Sequence, residues 1–171
     1  MPILRPEHPR FANGAEREVW QLLVDQLFDD EALLSGLRVT DRAKDHEADV
    51  VVLSPRAGIV VVEVKGGSVW TKDGYWYQSR GDLPPKSIDP VRQARQTRYA
   101  LREYIESDPR WGSRTRVRTA HMVVLPHSDL GDDFALPDCP AWMVVGRGNL
   151  GAMANKLRPR CSSSRRLITA P

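Results

Sequence analysis

Two strongly apolar, β-branched runs dominate the hydrophobic pattern of this chain, at 50–53 and 59–64. They flank the turn-like segment Ser54-Pro55-Arg56-Ala57-Gly58, and together predict an antiparallel hairpin with a five-residue loop. Upstream the period changes. Val19, Trp20, Leu23 and Leu27 fall on one stripe of a helical wheel, which predicts a helix over about 14–34. Residues 38–41 then read as a short first strand or a lead-in, before strands at about 48–53 and 59–65. A second hairpin is signalled at 69–71 and 75–78, around Lys72-Asp73-Gly74. Residues 80–87, with Pro84-Pro85, read as a loop. Asp89-Pro90 supplies a cap and a first-turn proline for a helix that runs to about 107, before Asp108-Pro109. Strands at about 117–125 and 141–146 and a short helix at 148–157 complete the order. The expected organisation is an irregular arm at 1–11, one domain at 12–157 and a disordered Ser- and Arg-rich tail at 158–171.

Polar residues inside this apolar pattern carry the candidate chemistry. If Leu53 pairs with Ile59, the register brings Asp49 opposite Glu63, and opposed residues share a face of the sheet. Lys65 lies two positions on and shares that face as well. Opposed carboxylates repel each other unless something positive stands between them. A divalent cation on oxygen ligands would relieve the repulsion, and Lys65 beside it could position a water. Taken alone, Glu63 and Lys65 fit a solvated surface pattern better. The apolar run around them and the register of Asp49 shift the balance towards a buried site. Glu16 lies within the helical stripe of Val19 and Leu23, whereas Glu18 falls on the polar side. Glu16 is therefore either a first-turn residue near the positive end of a helix or a buried functional group facing the sheet.

Composition changes the picture little. The chain has 171 residues and a formal net charge of +3, enough for one domain with a core and a mildly basic surface. Arg92, Arg95, Arg98 and Arg102 crowd the second helix and suit contact with phosphates, or equally a solvated face paired with Glu103 and Glu106. Trp70, Tyr75, Trp76 and Tyr77 read as core and hairpin pairs more readily than as base-stacking platforms. Cys139 and Cys161 lack the spacing of a zinc site or a disulfide framework, and the histidines lack ligand spacing, with His46 nearest the candidate site. The sequence contains no signal peptide and no apolar run of membrane length, so a cytoplasmic protein without membrane contact is expected.

Four motifs in order give a resemblance. Ala15-Glu16-Arg17-Glu18-Val19 resembles a Gly-Glu-x-x-Val helix start, and Glu47-Ala48-Asp49 a segment ending in a motif Asp. Glu63-Val64-Lys65-Gly66-Gly67 resembles a Glu-x-Lys signature, and Asp89-Pro90-x-x-Gln93 an Asn/Asp-Pro-x-x-Gln helix start, with Gly74-Tyr75-Trp76 in the hairpin between them. These residues resemble the nuclease-related domain (NERD) family of the PD-(D/E)xK nuclease superfamily, over roughly 12–150; Ala15 and Ala48 depart from the usual Gly and Pro. The resemblance implies an α/β fold with a restriction-endonuclease-like core: a central mixed sheet flanked by helices in the order αβββαβ, plus an additional strand and helix. It implies a Mg²⁺- or Mn²⁺-dependent deoxyribonuclease acting in DNA processing or repair. Asp49, Glu63 and the carbonyl of Val64 would be metal ligands, Glu16 a further ligand or a holder of metal-bound water, Lys65 the residue that orients water, and Gln93 a supporting or phosphate contact. DNA is the expected partner, with a helicase or other DNA-processing module in the same protein, and a homo-oligomer stays open. The alternative is a non-catalytic nucleic-acid-binding or regulatory module of a larger protein.

Overall fold

The computed structural model describes residues 1–41, 44–114, 116–131, 134 and 136–157. Cys161 and the tail at 158–171 lie outside them. The first strand, β1 (Ile3–Arg5), pairs in parallel with a later strand, so part of the presumed irregular arm is a sheet edge. Helix α1 (Gly14–Gln26) starts at Asn13, whose side chain accepts from the backbone N–H of Glu16. It stops well short of residue 34. Ala32, Leu33 and Leu34 belong instead to β2 (Ala32–Thr40), which absorbs the expected short strand at 38–41. The reason lies in Glu31, a buried carboxylate that accepts from the N–H of Phe28 at 2.9 Å and from Ser54 Oγ at 2.6 Å. It closes the turn after α1 and ties it to the distant hairpin loop, which helical periodicity alone does not report.

The hairpin forms in the expected register, but Ser54 pairs with Gly58, so the loop is the three residues 55–57 rather than five. β3 (Asp45–Ser54) and β4 (Gly58–Val64) are antiparallel, with Leu53 opposite Ile59. β5 (Ser68–Lys72) and β6 (Tyr75–Ser79) form the second hairpin. Its two-residue turn has φ of 53° at Asp73 and 79° at Gly74, the left-handed geometry that suits the right-handed twist of the strands. β7 (Lys86–Ile88) lies within the expected 80–87 loop and pairs with β6. Helix α2 (Pro90–Ser107) begins at Asp89, which accepts from the N–H of Arg92 at 3.0 Å. β8 (Thr119–Leu125) follows, then a 3₁₀ turn at Ala141–Met143, which shortens the expected strand to β9 (Val144–Gly146). A second 3₁₀ segment, Arg147–Ala152, leads into α3 (Met153–Leu157).

Among the described residues the strands form a six-stranded mixed sheet, ordered β1-β2-β3-β4-β8-β9, and a separate three-stranded sheet, β5-β6-β7. Strand alternation sorts the valines of the central sheet. Val50, Val52, Val60, Val62 and Val64 pack with Val19 and Leu23 of α1 and Met153 of α3. Val51 and Val61 face the other way and pack with Ala100 and Leu101 of α2. Each fully buried valine contributes roughly 1.5–3 kcal/mol relative to exposure. The small sheet closes against the second face through Val69 and Trp76, which meet Val91 of α2 and Val123 of β8. The result is an α/β fold of restriction-endonuclease-like core type, with helices on both faces of a mixed sheet. No helix among the described residues is long and apolar enough to cross a membrane.

Candidate active site

Glu63 continues the face of Val61, the side covered by α2. It is only 1% exposed, at the end of β4. Asp49 lies midway along β3, just beyond the point where its ladder with β4 ends. The hairpin ladder stops at Val50 and Val62, one step before Asp49 and Glu63 would pair. The carboxylate of Asp49 instead accepts the N–H of Val64 at 2.7 Å. On its other side, the pairing of β2 with β3 runs from Ser35 opposite Val50 to Leu37 opposite Ala48, passing over Gly36 and Asp49. Asp49 thus stands where both ladders are interrupted, and its side chain takes a role that a ladder carbonyl would otherwise fill.

Lys65 extends the pairing of β4 with β8 by one bond, its N–H donating to the carbonyl of Val124 at 2.9 Å. Its ammonium lies 2.5 Å from Glu63 Oε1 and donates to Gln93 Oε1 at 3.1 Å. The ammonium–carboxylate contact is one of charge rather than of aligned hydrogen bonding. Neither buried oxygen of Glu63 has a hydrogen-bond partner among the described residues. Burial, then repulsion from Asp49, pushes Glu63 up to about 8, with Lys65 offsetting part of the rise. Burial also raises Asp49 to about 6, against the lowering effect of the Val64 N–H and with a further upward push from Glu16. Two neighbouring carboxylates that repel each other, with one ammonium and one backbone N–H to offset their charge, are hard oxygen donors of the kind that suit Mg²⁺ or Mn²⁺. Among the described residues no group of three or more His, Cys, Asp or Glu side chains is arranged to hold an ion. A magnesium ion retains several waters, so a pair of carboxylates is sufficient protein ligation.

The other expected residues divide. α1 packs on the opposite face from Glu63, so Glu16 acts on the two carboxylates from the helix start at the end of the sheet. Its own oxygens accept from the N–H of Ala12 at 2.9 Å and from Asn13 Nδ2 at 2.6 Å. Glu16 is half-buried and hydrogen-bonded at the helix start, which is the first-turn alternative rather than the buried one, and its charge reaches Asp49 and Glu63 from there. Gln93 projects from the first turn of α2 onto Lys65. Arg92 lines an open cleft of about 450 Å³ beside Gln93, with Lys44, His46 and Gln96. His46 is buried there with Nε2 2.7 Å from Asp41.

The arginine stripe does not act as one comb. Arg95 is 4.0 Å from Asp138, while Arg98 and Arg102 lie over the ring of Tyr99 at 4.3 and 5.0 Å. Glu106 accepts from the N–H of Val117 rather than bracing the stripe. Trp76 is buried against Phe134, and Trp70 stacks on Tyr77, so these aromatics act as hairpin and core pairs. Cys139 is buried, and burial pushes its thiol up to about 12, where it carries no thiolate chemistry. Sequence reasoning missed Gln78, His127 and Ser128, which hold the Gly66-Gly67 link directly after Lys65. No spacing signals them, because they come from other strands and loops.

A mixed sheet with helices on both faces, carrying a buried Glu-x-Lys pair and an Asp on the neighbouring strand, defines the nuclease-like α/β class. The nuclease-related domain (NERD) family model matches residues 12–126, and the chain belongs to that family. Comparisons with curated proteins and with solved structures return no match.

Proposed function

We propose that this domain is a metal-dependent nuclease that hydrolyses DNA phosphodiester bonds, in DNA processing or repair. The observation that carries the reading is Glu63: a carboxylate 1% exposed, with neither oxygen hydrogen-bonded, beside a second carboxylate and an ammonium. A carboxylate buried this way costs stability, and stability alone gives no reason to keep it. Asp49 and Glu63, with the carbonyl of Val64, would hold Mg²⁺ or Mn²⁺. Such an ion polarises a bound water and steadies the scissile phosphate. Lys65, braced by Gln93, orients the attacking water and offsets charge developing on the phosphate. Glu16 adds negative charge that favours the cation. Arg92 at the cleft mouth contacts backbone phosphates, while Arg95, Arg98 and Arg102 guide the strand more weakly, being partly engaged already.

A second reading has one observation in its favour. The Lys65 ammonium against Glu63 already supplies positive charge, as it would in a non-catalytic nucleic-acid-binding or regulatory module linked to a helicase or similar partner. Incubating purified protein with supercoiled and linear DNA separates the readings. Nicking or degradation with Mg²⁺ or Mn²⁺, stopped by a chelator, is the expected result. Binding without cleavage in either metal supports the binding module; neither binding nor cleavage supports the regulatory one.

A further inference from the structure

The backbone that leaves Lys65 is held by hydrogen bonds with three side chains. Gly67 N–H donates to His127 Nδ1 at 3.0 Å, and the Gly67 carbonyl accepts from Ser128 Oγ at 3.1 Å. Ser128 Oγ in turn accepts the N–H of Val69 at 2.8 Å, and the Gly66 carbonyl accepts from Gln78 Nε2 at 2.7 Å. Gln78 is 2% exposed. Sterics close the remaining freedom. A Cβ on Gly66 would stand 2.6 Å from that of Ala15, in the first turn of α1. Gly67 has φ of +77°, and a Cβ there would meet the Ser79 carbonyl at 2.4 Å. A neutral ring accepting at Nδ1 carries its proton on Nε2, which lies 3.1 Å from Glu18 Oε2. Helix α1, the end of β6 and the loop after β8 thus converge on two glycines.

The His127–Glu18 pair is not needed to complete the core, since both side chains are close to half exposed. What the arrangement does fix is the direction in which β4 ends, and with it the root of the Lys65 side chain. We propose that His127, acting through Gly67, is a positioning residue for Lys65. With Ser128 and Gln78 it sets where the ammonium stands over Glu63, and Glu18 orients the imidazole. The catalytic consequence rests on the nuclease reading; the placement of Lys65 does not. Glu18, on the polar side of its helix, therefore gains a role that its place on the helical wheel withholds.

Two readouts test this, on the full chain. In metal-dependent DNA cleavage, His127→Ala lowers kcat by between about tenfold and a hundredfold, the scale of a displaced catalytic group. KM for DNA stays within about twofold of wild type, because the substrate contacts are intact. His127→Asn, whose Oδ1 replaces Nδ1 as acceptor for Gly67, recovers most of the rate. In the second readout, acylation of Lys65 in the metal-free protein is followed by peptide mass spectrometry. Its side chain is 15% exposed in the wild-type arrangement. Labelling rises several-fold in His127→Ala and returns in His127→Asn. Should His127→Ala fail to fold, Ser128→Ala carries the same test. Wild-type kcat and wild-type labelling in His127→Ala overturn the proposal, as does His127→Asn behaving like His127→Ala. If the wild-type protein cleaves no DNA, the nuclease reading alone fails, and the labelling still decides the clamp.

Discussion

Glu63 concentrates the tension of this molecule in one side chain. Its folded pKa, about 8, lies above the ordinary 4.5, and that of Asp49, about 6, lies above 3.8. For carboxylates shifted upwards, the folded metal-free protein binds more protons than the unfolded chain. Their contribution to stability is therefore greatest at the acid end and is lost as pH rises from about 4.5 to about 8. The loss attributable to Glu63 is on the order of a few kcal/mol. Thermal unfolding in chelator across that range should show the decline, and Glu63→Gln should flatten it. A mutant with the same slope as wild type would place the charge burden elsewhere. On the nuclease reading proposed above, Lys65 behaves differently, its interactions serving the reaction more than the fold. Lys65→Ala should abolish most cleavage while DNA affinity changes little. Assays of binding and turnover on the same preparation check this, and near-wild-type turnover would remove Lys65 from the chemistry.

At the scale of elements, the start of α1 matters more than its length. Asn13 and Glu16 satisfy first-turn donors, and the same Glu16 adds charge near Asp49 and Glu63. Glutamine can still cap, so Glu16→Gln should leave the melting temperature almost unchanged. Removing its charge should weaken Mn²⁺ binding and lower cleavage, as isothermal titration and kinetics would record. Unchanged Mn²⁺ affinity would reduce Glu16 to its capping role. At α2 the cap is Asp89, and Asp89→Ala should cost about 1 kcal/mol in denaturant unfolding. Because Gln93 sits in the first turn of that helix, fraying there should also loosen the brace on Lys65.

For the whole molecule, metal and pH are linked. A cation that binds only the folded state stabilises it by about 2.7 kcal/mol at a concentration a hundredfold above its Kd. The raised pKa values mean that Mn²⁺ must displace protons from the site, so the gain in melting temperature should be larger at pH 8 than at pH 5. Asp49→Asn should abolish the gain at both; equal gains in wild type and mutant would move the ion to another site. His121 adds an opposing limb. Burial, then the nearby Arg98 and Arg95, lowers it to about 4 from 6.5. Its folded pKa lies below the unfolded one, so its contribution is lost as pH falls from about 6.5 towards 4. His121→Gln should soften that acid limb in the same unfolding series.

Much of this was legible along the chain because it is local. β-branched runs and the turn between them fix the register of the β3–β4 hairpin, and Asp89-Pro90 fixes the start of α2. The hairpin alone brings Asp49, Glu63 and Lys65 near one another, and Gln93 joins them once α2 packs on the sheet. Other features are decided only by contacts distant in sequence. Glu31 ends α1 early by bonding to Ser54, so an apolar segment that could have continued the helix becomes strand β2. The alternation of β4 fixes that Val60, Val62 and Val64 point one way and Glu63 the other. Only packing reveals that α1 covers the valines and α2 the carboxylates, which makes Glu16 act from the sheet end. The burial of Glu63 and the clamp of His127 on Gly67 belong to the same category. Local sequence sets periodicity and turns, whereas desolvation and long-range hydrogen bonds exist only once the layers have closed.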